Sequence, residues 1–263
     1  MADELSITIG ERSFAVDQAH AVDLSIPMWF NGPQPNAYGV EAATSRACEY
    51  GGLIGDTRRG GSCNFERVTI IPHCNGTHTE CVGHITDERI SVRECLRDVL
   101  VRAMLVSVEA EPLRDDDVIS LPRLDQELRD ASETLALQSA LIVRTLPNDR
   151  SKLSRVYDES NIPPYFTTAA MEYIRECGFK HLLVDLPSID RLYDDGKLVN
   201  HRIFWNVEPE SREVNSATRI NSTITELIYV PNDAIDGEYL LNLQIAPWDA
   251  DAAPSRPILF PII

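Results

Sequence analysis

Apolar and polar positions alternate or cluster along this chain in ways that mark its elements. Ala21–Ile26 (AVDLSI) alternates with period two, the pattern of a half-buried strand, and stops at Pro27, after which Asn31-Gly32-Pro33-Gln34-Pro35 requires a turn or loop. Glu66–Ile71 (ERVTII) reads as another strand, ended by Pro72. Val101–Val108 (VRAMLVSV) and Ser139–Thr145 (SALIVRT) are nearly continuous apolar runs of strand length, as expected of strands covered on both faces. Between them, Leu121–Asp130 has helical spacing with Pro122 in its first turn. Thr167–Cys177 (TTAAMEYIREC) is the clearest helix, with a Thr cap at its start and Gly178 just past its end. Lys180–Leu186 (KHLLVDL) follows as a strand, so strand, helix and strand run from Ser139 to Leu186, and Thr223–Val230 and Glu238–Ala246 suggest a late antiparallel pair. Glu41–Gly61, with five glycines and adjacent Arg58 and Arg59, reads as a long loop or lid placed to cover a pocket.

Many short strands with few helices predict a mixed α+β class: a central, partly closed mixed sheet with helices on its outside. The 263 residues suit one domain spanning 1–263, with no internal repeat and no Gly/Ser-rich or Pro-rich linker to divide it. Charge narrows the partners. With 24 Lys and Arg against 41 Asp and Glu, the net charge of -17 repels phosphate backbones and anionic headgroups, so nucleic acid and membrane are poor partners. Met1–Leu5 carries no basic stretch followed by an apolar run, and no segment reaches membrane-spanning length, which points to the cytoplasm. The six cysteines, Cys48, Cys63, Cys74, Cys81, Cys95 and Cys177, form no CxxC pair and read mostly as buried free thiols. Cys74 and Cys81 stand apart because they fall inside a histidine-rich segment.

That segment, His73–His84, packs three of the six histidines, one carboxylate and two thiols into twelve residues. Imidazole and carboxylate donors suit a divalent ion such as zinc, manganese or iron, and a catalytic ion keeps one position open for water. On an extended backbone His78, Glu80 and His84 are even steps apart and point to one side, with Gly76 and Gly83 letting the chain turn tightly around the ion. Glu226, in the apolar run TITELIYV, is either an exposed-face residue or an inward ligand. His20 and His181 read as surface or hydrogen-bonded histidines, Asp115-Asp116-Asp117 as a solvated loop or helix start, and Asp194-Asp195-Gly196 as a turn. Trp29, Phe30 and Tyr38 either line an aromatic pocket or pack in the core or between subunits.

Gly76-Thr77-His78-Thr79-Glu80, closing at His84, resembles the HxGTHxDxPxH signature of the cyclase family, which includes bacterial kynurenine formamidase and isatin hydrolase. Asp23-Leu24-Ser25, Asp185-Leu186-Pro187-Ser188-Ile189-Asp190, His201 and Thr225-Glu226-Leu227 resemble further landmarks of that family, in its order, from Asp23 to at least Glu226. The resemblance implies a swivelling β/β/α fold, a homo-oligomer (dimer or tetramer), and one or two divalent ions, zinc first and manganese second. It implies hydrolysis of a C–N bond in a small molecule such as an arylformamide or cyclic amide, by metal-activated water. On this pattern His78 is a metal ligand and Glu80 replaces the ligand aspartate. His84 serves a second ion or acts as base, His201 is a further base candidate, and Glu226 is a metal ligand and water anchor. Asp185 and Asp190 position backbone and neighbouring side chains. The first ligand place is held by Cys74, with His73 one residue earlier, so either Cys74 ligates as thiolate or His73 reaches in. The rival functions are a metal-dependent cyclase or dehydratase, and a binding protein whose metal site has decayed.

Overall fold

The structure, a computed structural model, describes residues 4–9, 11–130 and 138–263. Nine strands make one mixed sheet: β1 (Val22–Asp23), β2 (His78–Glu80), β3 (Leu100–Glu109), β4 (Ala140–Leu146), β5 (His181–Val184), β6 (Thr223–Glu226), β7 (Gly237–Asn242), β8 (Ala252–Pro254) and β9 (Ile258–Pro261). Their order across the sheet is β8-β2-β6-β5-β4-β3-β7-β9-β1, with β3, β4, β5 and β6 parallel and the remaining pairs antiparallel. The helices are α1 (Pro72–Asn75), α2 (Val92–Cys95), α3 (Leu121–Asp130), α4 (Thr168–Glu176) and α5 (Val199–Trp205).

The apolar run of β3 serves two cores because successive side chains take opposite faces. Met104, Val106 and Val108 join the larger cluster with residues of α3, α4 and α5, while Val101, Ala103 and Leu105 join a second cluster with Leu24, Leu183 and Leu241. α4 forms as its sequence requires: the Thr167 hydroxyl accepts from the Ala170 amide at 3.3 Å, and Gly178 ends the turn at a φ of 83°. It buries Ala170, Met171 and Ile174, and each of the two larger side chains contributes about 1.5–3 kcal/mol.

The sheet curls. β8 lies at one edge and β9 next to the other, yet only residues 255–257 separate them, and three residues span at most roughly 3.5 Å each. Ser25, just beyond β1, bridges to Ile228, just beyond β6, and the Tyr229 amide donates to the Leu24 carbonyl at 2.8 Å. The partly closed mixed sheet expected from the strand pattern is therefore present.

Three expectations are corrected. Thr223–Glu226 and Gly237–Asn242 do not pair with each other: β6 lies between β2 and β5, and β7 lies between β3 and β9. The chain leaves the sheet at Leu227 (φ 53°), and the Arg144 guanidinium donates to the carbonyls of Pro231 and Ala234 at 2.8 and 2.9 Å, holding the crossing segment. Glu41–Gly61 is not a plain loop, because Thr44–Ala47 pairs with Glu66–Thr69 and Glu49–Tyr50 pairs with Leu53–Ile54. Its adjacent Gly51 and Gly52, both at positive φ, form the tight turn of that hairpin. Asp116 opens a strand, Asp116–Ile119, and its carboxylate binds Arg191 at 2.8 Å. Among the described residues no helix is long and apolar enough to cross a membrane.

Candidate metal centre

His78 and Glu80 are two residues apart on β2, so their side chains share one side, while Thr79 turns the other way to meet Thr225 at 2.8 Å. β6 runs antiparallel to β2 with Glu226 directly opposite His78, which brings the lone acid of an apolar strand to the same place. All three side chains are buried. His201 comes from α5, whose first turn is held by Asp190: its carboxylate accepts from the Asn200 and His201 amides at 2.7 and 3.2 Å and from His201 Nδ1 at 2.6 Å. His201 Nε2 then lies 2.9 Å from Glu80 Oε1 and 3.6 Å from Glu226 Oε1.

His73 and Cys74 lie on the single turn α1, where neighbours are rotated by about 100°. His73 faces the cluster, its Nε2 3.5 Å from Glu80 Oε2, whereas Cys74 packs among Ile26, Ala37 and Tyr157. Burial, and secondarily Glu226, push the Cys74 thiol up to about 11, which disfavours the thiolate. His84 arrives on a 3-10 turn, Val82–His84, rather than on extended chain, and its Nδ1 lies 3.8 Å from Glu80 Oε2. Gly83 matters here through close approach: a Cβ would sit 2.2 Å from the Ile90 carbonyl oxygen. Gly76 is extended, and its flank is closed by the flexible end of Met28.

The electrostatics are unbalanced toward negative charge. His78 Nδ1 can only donate to the Gly76 carbonyl, at 3.0 Å, so Nε2 carries the lone pair, and burial followed by repulsion from His73 lowers its pKa to about 4. That lone pair faces Glu226 Oε2 at 3.6 Å. Burial would raise the Glu80 carboxyl, but His84 and His201 outweigh it and bring it down to about 2. Glu226 is driven the other way, well above the carboxylate range, by burial and then by Glu80. Burial pulls the His201 imidazole down, yet Glu80 and Asp190 hold it well above its ordinary value. Among the described residues, His73 Nε2, His78 Nε2 and Glu80 Oε2 are buried with no hydrogen-bond partner.

A divalent cation fits this arrangement. Two groups offer converging donors: His73, Glu80 and His84, and Glu80, His201 and Glu226, with Glu80 common to both. Nitrogen and oxygen donors of this kind suit zinc or manganese, and a cation would satisfy unpartnered atoms that otherwise cost about 1–3 kcal/mol each. Of the residues anticipated from sequence, His73, His78, Glu80, His84, His201 and Glu226 converge, while Cys74 and Cys81 do not. Cys81 is buried, with its thiol on the Ile90 carbonyl at 3.4 Å. Cys63, by contrast with the expected buried thiols, is exposed.

Asp251, for which the sequence holds no motif, lies 3.1 Å from His73 Nε2 and 3.4 Å from His84 Nδ1. Its only signal is the pairing of Ala252 with Glu80 across β8 and β2, which no local pattern reveals. Tyr38 is 40% exposed, with its ring edge-on to Tyr193 at 5.8 Å. Its phenol is pushed well up, first by burial and then by Glu226. Trp29, 62% exposed, is neither core nor part of this group.

Away from the cluster, Asp185 forms a separate buried pair. Its Oδ2 accepts from Lys152 Nζ at 2.7 Å and its Oδ1 from the Thr145 hydroxyl at 2.8 Å, while Lys152 also donates to the Thr145 carbonyl at 2.7 Å and hydroxyl at 2.9 Å. His181 is buried between Thr223 (2.8 Å) and Asp98 (3.1 Å), and His20 is exposed against Asp17, as expected of hydrogen-bonded or surface histidines.

Known proteins share this architecture. The chain is 25% identical over 205 residues to a kynurenine formamidase of Bacillus cereus, covering 77% of this chain and 82% of that one. Isatin hydrolase A from Ralstonia solanacearum superposes with a TM-score of 0.60 at 13% identity, covering 92% of this chain and 91% of that one. A potential metal-dependent hydrolase with cyclase activity superposes with a TM-score of 0.59 at 14% identity, covering 91% and 96%. At these identities the structural likeness establishes the fold. The family model described as "Putative cyclase" matches residues 16–191, most of the chain and the whole His73–His84 segment, and the protein therefore belongs to the cyclase family.

Proposed function

We propose that the protein is a metal-dependent hydrolase that opens the C–N bond of a small amide, an arylformamide or a cyclic amide. The observation that carries this is the buried His78 lone pair facing Glu226 beside the unpartnered Glu80 Oε2. The relatives called kynurenine formamidase and isatin hydrolase support a substrate of this chemistry. His73, His78, Glu80, His201 and Glu226 are the residues that would hold one or two ions, zinc or manganese. When bound, such an ion supplies Lewis acidity to a carbonyl and lowers the pKa of water.

The chain's own groups account for the rest. His84, at the exposed side of the cluster, accepts a proton from the attacking water and returns it to the leaving nitrogen. Asp190 fixes the ring of His201 by accepting from Nδ1, leaving Nε2 directed at Glu80 and Glu226. Glu226, whose Oε1 accepts from the Ile189 amide at 3.0 Å, would hold an ion and anchor the attacking water. Tyr38 offers an aromatic wall for a planar substrate.

The test is elemental analysis of the purified protein together with hydrolysis of N-formylkynurenine and isatin before and after chelation. Near-stoichiometric zinc or manganese, turnover lost at least 100-fold on chelation and restored by the ion, and solvent oxygen in the product are expected. His78→Ala should lose ion and turnover together. Turnover indifferent to chelation, or full occupancy in His78→Ala, would sink the proposal, and a product without solvent oxygen would favour the cyclase or dehydratase.

A further inference from the structure

Asp251 lies outside the segment matched by the family model, and the sheet nevertheless delivers it to the metal-ligating side chains. Its backbone is pinned from both sides, its carbonyl accepting from the Cys81 amide at 3.0 Å and the preceding Ala250 carbonyl from the Val92 amide at 2.8 Å. From there Oδ2 approaches His73 Nε2 at 3.1 Å and His84 Nδ1 at 3.4 Å, the two nitrogens that also face Glu80 Oε2 at 3.5 and 3.8 Å. Two imidazoles, stacked at 4.5 Å, thus aim nitrogen at the same two carboxylate oxygens.

Asp251 pairs with both imidazoles, yet atoms of the cluster are left unsatisfied. His73 Nε2 is buried and, although 3.1 Å from Asp251, lacks the alignment of a hydrogen bond; Glu80 Oε2, on a side chain 1% exposed, also has no partner. Both unpartnered atoms turn toward the space that Asp251 closes. The Asp251 side chain is 36% exposed and borders a cavity of about 380 Å³ shared with Gly83 and Ser91.

We propose that Asp251 is a metal ligand: with His73, His84 and Glu80 it completes a two-nitrogen, two-carboxylate position for a divalent cation, beside the inner position of Glu80, His201 and Glu226, toward which His78 Nε2 also turns, 3.6 Å from Glu226 Oε2. Glu80 is shared between the two. The inference rests on the metal-dependent reading above and adds to it a ligand from the C-terminal side of the sheet, where His84 serves the ion rather than acting only as base. Four donors of this type are the set that zinc, cobalt or manganese takes.

The experiment titrates metal-free protein with cobalt(II), counting bound ions per chain and following the visible absorption of the bound cobalt. Wild type is expected to hold two, and Asp251→Asn, which keeps shape but not charge, to hold one fewer, with the lost ion at least ten-fold weaker. Glu226→Gln should remove a different spectral component, that of the inner ion. Equal melting temperatures of metal-free wild type and Asp251→Asn establish that the fold is intact, and Asp251→Glu should recover part of the lost binding. If Asp251→Asn binds as much cobalt as wild type with the same spectrum, the inference is overturned while the hydrolase reading stands. If wild type binds no cobalt, that reading fails as well.

Discussion

Two buried acidic centres lie on neighbouring strands of the same sheet and are treated in opposite ways. Asp185, just after β5, meets one cation of the chain's own: Lys152 is wholly buried beside it, and the ammonium and both carboxylate oxygens are bonded. Burial raises the Asp185 carboxyl, and Lys152 is the main counterweight. At Glu80 and Glu226 no lysine or arginine comes within ion-pairing distance among the described residues; the carboxylates face imidazoles, and atoms are left unpartnered. The first centre is a finished electrostatic pair. The second has the composition of a place kept for something the chain does not itself supply.

The largest effect that would break this contrast is at the finished pair. Lys152→Met leaves Asp185 buried without its cation and should cost about 3–5 kcal/mol in urea unfolding. A loss below about 1 kcal/mol would mean that the pair neutralises nothing. Next comes pH. His181, at the other end of β5, has its pKa lowered to about 4, chiefly by burial. The unfolded histidine binds a proton near pH 6.5 while the folded one stays neutral, so stability held above about pH 6.5 is lost as pH falls toward 4, on the order of 3 kcal/mol in full. Unfolding of wild type and His181→Gln at pH 7 and pH 4 measures this: the variant should lose less, and equal losses would assign the acid sensitivity elsewhere. The smallest effect is the most telling. Glu226→Gln, unfolded in the presence of chelator, should match wild type or gain up to about 1 kcal/mol, because an acid pushed toward its protonated form is replaced by a neutral isostere. A loss above 2 kcal/mol would make Glu226 a structural partner like Asp185.

The strands and helices that bury apolar surface on a regular period were legible in the chain, as β3, β4, α3 and α4 illustrate, because period and burial are both local consequences of backbone geometry. The alternation of His78 and Glu80 and the isolated acid at Glu226 were legible for the same reason. The choice between His73 and Cys74 was not, since it depends on α1 being a helical turn that sends these two neighbours to different sides. The supposed pairing of the last strands failed on one left-handed residue, Leu227, and on the carbonyls held by Arg144 from β4. Asp251 was invisible because β8 meets β2 only through long-range pairing.

The order of strands across the sheet carries a consequence for synthesis. β8 and β9 follow every other strand of the sheet in sequence, yet β8 flanks β2 and β9 joins the opposite margin through Leu259 and Val22. A nascent chain can stack β3 to β6 as each emerges, but the flank of Glu80 stays open to water until residues 252–261 have cleared the ribosome. The flank of the His78–Glu80 strand is thus closed last, and a chain stalled before that point would expose the edge of β2 as a template for aggregation.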